Sequence, residues 1–123
     1  MRNTCRLVAW LLAAAIVALS CVPPTYRPVT AASHNFEHLA IFFAMGLAFG
    51  LAYQHRLRTL VFGLPAFCAV IEVTQQWVPG RHARLSDFLI DAAAVLIGMA
   101  AAFALARWLF PPNWLRRQQG TLS

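Results

Sequence analysis

The chain of 123 residues is 60% hydrophobic and only 11% charged, which excludes an ordinary soluble domain, because such a domain has too little interior to bury this much apolar surface. Its formal net charge of +6 comes from ten arginines, without any lysine, set against four acidic residues. The arginines lie at the ends of apolar runs and form no continuous stripe. We therefore expect membrane lipids as partners, not nucleic acid, and a single membrane domain over residues 1–123.

The first apolar run, residues 7–22, follows Arg2 and Arg6 and is stopped by Pro23 and Pro24. It is short for a membrane span, and a basic start before a short apolar core is also typical of a signal peptide. We favour a retained first helix. In either case its N-terminal side stays in the cytoplasm.

Three further apolar runs predict three further membrane helices. The second run contains Gly46 and Gly50, spaced as in the G-x-x-x-G pattern that permits close packing of membrane helices. Pro65 lies within the third run, where we expect a kink. The predicted spans are residues 7–22, 36–53, 60–78 and 88–110.

The distribution of arginines predicts how these spans are oriented. With the N-terminus inside, the outer side holds Arg27, Arg81 and Arg84, and the cytoplasmic side holds Arg2, Arg6, Arg56, Arg58, Arg107, Arg116 and Arg117. We therefore predict an all-α integral membrane bundle of four transmembrane helices, with both termini in the cytoplasm.

All the acidic residues fall in the outer half of this topology, and two of them, Glu72 and Asp91, stand deeper in apolar runs than Glu37, which is at the start of its run. A carboxylate at the bilayer centre costs about 2.5–3.5 kcal/mol, so Glu72 and Asp91 are functional candidates. Pairs four residues apart share a helical face, and these pairs are His34 with His38, Glu72 with Gln76, and Asp87 with Asp91. We expect them to converge between the helices; polar helix ends at the membrane interface are the simpler alternative.

A charge inside the hydrocarbon region needs a partner, and Arg81 and Arg84 are the nearest cations. The Pro-Gly turn before Arg81 allows its side chain to fold back over the helix end. We therefore expect Glu72 and Asp91 to share Arg81, with His38 as the alternative partner of Glu72.

Residues 34–38 match H-x-x-E-H, the pattern of inverted zinc proteases. A zinc site would need His34 and His38 on one face, Glu37 as a base and a further ligand. The pattern is short and no substrate cleft is evident, so we predict no metal and no other cofactor.

The stretch that begins at Glu72 reads E-x-x-Q-Q-x-x-P-G-R and is followed by Ser86-Asp87. Together with Glu37-His38 and with Gly98 in the last helix, it resembles the VanZ-like family over about residues 33–100. The resemblance implies a small multi-span protein of the bacterial cytoplasmic membrane, in a family whose founding member is linked to low-level teicoplanin resistance. It also implies shared polar positions at His38, Glu72, Gln76, Arg81 and Asp87.

Two positions depart from this family pattern. Asp91 stands where asparagine is usual, and Asn35 stands where lysine often precedes the histidine. The predicted functional cluster is His38, Glu72, Gln76, Arg81, Asp87 and Asp91, with His34, Glu37, Gln75 and Arg84 as secondary members.

The chemistry of this cluster suggests a ligand class. Arginines near a helix start suit phosphate or carboxylate, whereas buried acids suit an amine. We expect recognition of a lipid-linked or peptidoglycan-derived group at the outer face of the membrane. Two alternatives stay open: a membrane-embedded enzyme with His38 and Glu72 as acid and base, and a structural partner subunit without a ligand.

Overall fold

The computed structural model describes residues 2–26 and 34–109, and over these residues it contains four α-helices and no strand. The helices are α1 (Arg2–Cys21), α2 (His34–Ala52), α3 (Leu57–Gln75) and α4 (Leu85–Leu109), with single 3₁₀ turns at Pro24–Tyr26 and Gln54–Arg56. The prediction of an all-α bundle of four helices is confirmed.

In the described part of the chain, three helical stretches are long and apolar enough to cross a membrane: Asn3–Cys21, Gln54–Gln75 and Leu85–Leu109. The apolar part of α2, Phe36–Ala52, is shorter. Large apolar side chains such as Phe62, which is 76% exposed, project outward from the helices, where a bilayer would cover them. The chain is therefore a membrane protein, and the direction in which its termini face stays a prediction.

The helices alternate in direction, which gives the bundle two chemically different ends. His38 near the start of α2 contacts Asp91 near the start of α4, and Trp10 in α1 donates its indole N–H to the hydroxyl of Tyr53, just after α2. We call the end with the starts of α2 and α4 the polar end; it contains Glu37, Glu72, Asp87 and Asp91. The opposite end is the basic end, and its arginines with described side chains are Arg6, Arg56, Arg58 and Arg107.

Glycines allow the parallel helices α2 and α4 to lie in backbone contact. A Cβ atom added to Gly46 would fall on the carbonyl oxygen of Val95, and one added to Gly98 would fall on that of Phe43. A Cβ at Gly50 would also come too close to α4. The G-x-x-x-G spacing thus marks a packing face, which sets the register of the two helices at the polar end.

The helix ends near the site differ from the predicted span limits. α3 ends at Gln75, after which the amides of residues 76–78 bond to the third residue before them and tighten the chain. α4 begins at Leu85 and not at Phe88, because the prediction counted only the apolar run and left out the polar first turn. Glu72 therefore lies one turn before the end of α3, and Asp91 lies about 9 Å into α4 at the helical rise.

Candidate functional site

A buried histidine–aspartate pair joins α2 to α4 at the polar end. The Nδ1–H of His38 donates to both carboxylate oxygens of Asp91, at 3.0 and 3.2 Å. Asp91 is 0% exposed, His38 is also buried, and the imidazole ring stacks on Phe42 one turn further along α2. An ionised carboxylate accepts but does not donate, so this contact places a proton on Nδ1 of His38. The costly buried carboxylate thus has its partner within the bundle.

Glu72 reaches from α3 to the first turn of α4. Its Oε1 accepts the backbone N–H of Arg84 at 2.6 Å, and Arg84 caps α4 because its carbonyl oxygen accepts the amides of Asp87 and Phe88. In a capping box, the carboxylate at the third helical position, here Asp87, would accept that N–H. Glu72 takes this role from another helix, where the positive end of the α4 dipole favours its charge.

The second carboxylate oxygen of Glu72 is the exceptional atom of the site. Glu72 is only 6% exposed, and its Oε2 has no hydrogen-bond partner among the described residues. A buried acceptor without a partner costs about 1–3 kcal/mol, and a charged one costs more. The site therefore contains a buried oxygen that can accept a hydrogen bond from a further group.

The prediction placed Gln76 in the functional cluster and Gln75 among its secondary members, but the structure buries Gln75 and exposes Gln76. Gln75 is buried at 5% exposure, whereas Gln76 follows the end of α3 and is exposed. Residues three apart share a helical face as well as residues four apart, so Gln75 lies on the face of Glu72. The prediction that Gln76 lines this face is wrong, because the helix has ended at that point.

Arg81 ties the connection between α3 and α4 to the end of α1. Its Nη2 donates to the carbonyl oxygen of Leu19 at 3.0 Å, one of the last-turn carbonyls that α1 leaves without an intrahelical partner. Gly80 has a φ of +79°, a conformation that glycine adopts easily, and it turns the chain back toward α1. Arg81 therefore positions the α3–α4 connection.

The prediction that Glu72 and Asp91 share Arg81 is wrong. Asp91 pairs with His38, and Glu72 accepts the backbone N–H of Arg84. Neither carboxylate forms an ion pair with Arg81 in the described part of the chain. Glu72 does lie within electrostatic range of Asp87, Asp91 and His38.

The other predicted residues lie at the same end with different exposure. Glu37 and Asp87 are half-buried in the first turns of α2 and α4, and the side chain of Arg84 is exposed. His34 begins α2, but its side chain lies outside the described residues. Among the described side chains, no three His, Cys, Asp or Glu residues come together as a metal site would require.

A cleft of about 280 Å³ opens at the polar end. Its walls carry cations, an acid and an amide, and its lining residues are Pro24, Gln75, Gly80, Arg81, His82, Arg84 and Asp87. Glu72 touches this wall through the backbone of Arg84. The predicted positions that the structure brings together here are therefore Gln75, Arg81, Arg84 and Asp87, with Glu72 behind them and the His38–Asp91 pair deeper in the bundle.

Sequence reasoning missed two residues of this region. Pro24 lines the cleft, and Cys68 is fully buried within electrostatic range of Asp91. Cys68 had a signal, because it precedes Glu72 by four residues and therefore shares its helical face. Pro24 had none, since its place depends on the packing of the α1 end against the Gly80 turn.

Comparison with known proteins places the chain in a family. The model of the VanZ/LLP1 family matches residues 5–108, from the start of α1 to the end of α4, which is wider than the predicted region of about 33–100. The comparisons with curated proteins and with solved structures gave no match. Since the family match covers nearly all of the described bundle, this chain belongs to the VanZ/LLP1 family.

Proposed function

We propose that the polar end binds the head group of a lipid-linked precursor of the bacterial cell envelope, at the outer face of the cytoplasmic membrane. The observation that carries the proposal is the buried Oε2 of Glu72, which lacks a hydrogen-bond partner among the described residues, while the Oε1 of the same carboxylate accepts the backbone N–H of Arg84 in the cleft wall. Buried polar atoms in proteins are nearly always paired, so this exception calls for a donor from outside the described residues, and a ligand would supply one.

The charges around the cleft suit a ligand that carries both signs. Arg81 and Arg84 lie on the wall, where guanidinium groups bind phosphate oxygens well. Glu72 and Asp87 offer carboxylate oxygens to an ammonium or amide N–H. A peptidoglycan precursor on a polyprenyl diphosphate provides both, with the diphosphate for the arginines and the peptide amine for the acids.

The size of the cleft agrees with binding of part of such a ligand. A volume of about 280 Å³ is at the lower limit of small-molecule pockets, which span about 300–1,000 Å³. It suits one charged group of the precursor, either the diphosphate or a terminal amino acid, and not the whole sugar–peptide head group. The lipid tail would remain in the bilayer beside the bundle. It would lie there against the large apolar side chains that face outward from the helices.

Glu72→Gln should abolish most binding while leaving the fold intact. The amide oxygen can still accept the Arg84 N–H, but the charged acceptor on the ligand side is lost, and a charge-assisted hydrogen bond is worth about 1.5–3 kcal/mol. We therefore expect a loss of about tenfold to a hundredfold in affinity. The measurement is microscale thermophoresis of the protein in nanodiscs, titrated with a peptidoglycan precursor on a polyprenyl diphosphate.

Two glutamine variants provide the matched control. Gln75→Ala removes a buried lining residue and should weaken binding, whereas Gln76→Ala changes its exposed neighbour and should not. Thermal unfolding of each variant shows whether the fold is kept. Unchanged affinity in both Glu72→Gln and Gln75→Ala, with the fold kept, would refute binding in this cleft.

The link to glycopeptide resistance is part of the proposal and has its own test. Expressed in a teicoplanin-sensitive bacterium, the wild-type chain should raise the inhibitory concentration of teicoplanin, because it occupies the precursor that the antibiotic captures. Glu72→Gln at equal membrane abundance should give no protection. Equal protection by wild type and Glu72→Gln would show that any resistance does not depend on binding at the polar end.

The His38–Asp91 pair favours a second candidate function, acid–base catalysis on a membrane-embedded substrate. A histidine whose Nδ1 is held by a carboxylate is oriented as in enzymes that use the other ring nitrogen as a base. Mass spectrometry of the precursor after incubation with the protein distinguishes the two functions. A product that disappears in His38→Gln, with precursor binding retained, would establish the enzyme; recovery of unchanged precursor supports binding alone.

A further inference from the structure

A second cavity lies between α1, α2 and α3 toward the basic end of the bundle. This basic-end groove has a volume of about 620 Å³ and is lined by Arg6, Trp10, Ala13, Met45, Phe49, Tyr53, Arg56, Thr59, Leu60, Gly63, Leu64 and Phe67. It forms because α3 packs mainly on α4 and only lightly on α1 and α2. None of its residues belongs to the polar end, so a role for this groove is independent of the proposed function.

The groove changes in character along its length. Met45, Leu60, Leu64 and Phe67 make its inner part apolar, whereas Arg6 and Arg56 lie at the end nearer the membrane surface. The guanidinium of Arg6 lies 5.2 Å from the ring centre of Tyr53, a cation–π contact that holds the charge at the rim.

The wall of the groove is built around Tyr53. Its hydroxyl accepts the indole N–H of Trp10 at 3.0 Å, its ring stacks on Phe49, and Trp10 meets Phe49 edge to face. Such amphipathic rings are typical of the depth at which head groups meet acyl chains. The wall is therefore preformed, with a polar rim and an apolar interior.

The charge at the rim calls for an external anion. Every Asp and Glu of the sequence lies at the polar end, so none of them is placed to neutralise Arg6 or Arg56. A phospholipid supplies an anionic head at the surface and an acyl chain toward the bilayer centre, in the same order as the groove presents arginines and apolar side chains. We infer that the basic-end groove binds one anionic phospholipid, with its phosphate at Arg6 and Arg56 and an acyl chain along Leu60, Leu64 and Phe67.

Gly63 makes the inference testable without disturbing the bundle. A Cβ atom added at this position meets no atom within 4 Å, because Gly63 faces the open groove. Gly63→Phe would therefore place a ring in the space of the acyl chain without a clash at its Cβ atom. Gly63→Leu is a smaller variant with the same expected effect.

The experiment is native mass spectrometry of the full chain, with phosphatidylglycerol and phosphatidylcholine of identical acyl chains offered in equal amounts. The wild type should retain phosphatidylglycerol in preference. Because a basic residue near anionic lipid is worth about 1 kcal/mol, Arg56→Gln should lower this preference about fivefold. Gly63→Phe and Gly63→Leu should lose the adducts of both lipids, since they block the chain and not the head group.

Matched controls use residues of the same type outside the groove. Arg58→Gln removes an exposed arginine of the basic end, and Ile97→Phe adds a ring to a lipid-facing position of α4 that is 60% exposed; both should retain the wild-type adduct. Equal retention of the two lipids by the wild type would overturn the inference, as would an equal effect of Arg58→Gln and Arg56→Gln. A dimer that Gly63→Phe dissociates, with lipid adducts unchanged, would show that a second copy of the chain fills the groove.

Discussion

Gly46→Ala should lower the free energy of unfolding by about 3 kcal/mol, at the upper end of what overpacking of a tight interface costs. The reason is that the new Cβ atom would fall on the backbone carbonyl of Val95, which cannot rotate away as a side chain can. To relieve this overlap, α2 and α4 must separate along their whole contact. The measurement is thermal unfolding in detergent, followed by tryptophan fluorescence.

Gly63→Ala is the matched control for this prediction. It makes the same chemical change within a helix, but its Cβ meets open space, so only the helix propensity changes, by up to about 1 kcal/mol in favour of alanine. The two variants should therefore shift the unfolding temperature in opposite directions. If Gly63→Ala were as harmful as Gly46→Ala, the loss would come from alanine itself and not from the α2–α4 contact.

The site depends on the same contact. His38 and Asp91 lie on α2 and α4 respectively, two turns and one turn from the Gly46–Val95 crossing toward the polar end. A hydrogen bond of 3.0 Å does not survive a separation of the helices by about 1 Å or more without loss. The glycines of the packing face lie outside the polar end. However, the close contact that they allow between α2 and α4 is needed to keep His38 within hydrogen-bond distance of Asp91.

Much of the fold can be predicted from the sequence, because apolar runs in a membrane protein have few alternatives to helices. The first and last residues of the helices were harder to predict, because a run of apolar residues does not report the polar contacts and turns that begin or end a helix. Leu85 begins α4 because Arg84 caps it and Glu72 accepts the Arg84 amide, and neither feature is apolar. The end of α3 at Gln75 reflects a tightening of the backbone before the Gly80 turn, which no run of hydrophobic residues reports.

The members of the site were easier to predict than their partners. Glu72, Asp91 and His38 stand out because polar groups inside apolar helices are costly and rarely accidental. Which of them touch depends on the packing of helices, and proximity in sequence favoured Arg81 as the cation. The structure pairs Asp91 with a residue 53 positions away, because α2 and α4 are parallel neighbours. The spacing of Gly46 and Gly50, with Gly98 in the last helix, was the available hint to that pairing.

His38→Leu should be the most destabilising single change at the polar end. It removes the partner of a fully buried carboxylate, and breaking one side of a buried ion pair costs about 3–5 kcal/mol. Asp91→Asn alone should cost about 1 kcal/mol, since the amide oxygen still accepts the Nδ1–H of His38. Both values come from thermal unfolding in detergent at one pH near neutrality.

The double variant His38→Leu with Asp91→Asn tests whether the two residues act through one another. With the charge of Asp91 removed, the loss of His38 strands only a neutral amide, so the double variant should be more stable than the sum of the single changes predicts, by about 1–3 kcal/mol. Asp87→Asn, the same substitution one turn earlier on α4, is the matched control and should give no such rescue of His38→Leu. Additive effects of His38→Leu and Asp91→Asn would mean that His38 stabilises the bundle through its stacking on Phe42 and not through Asp91.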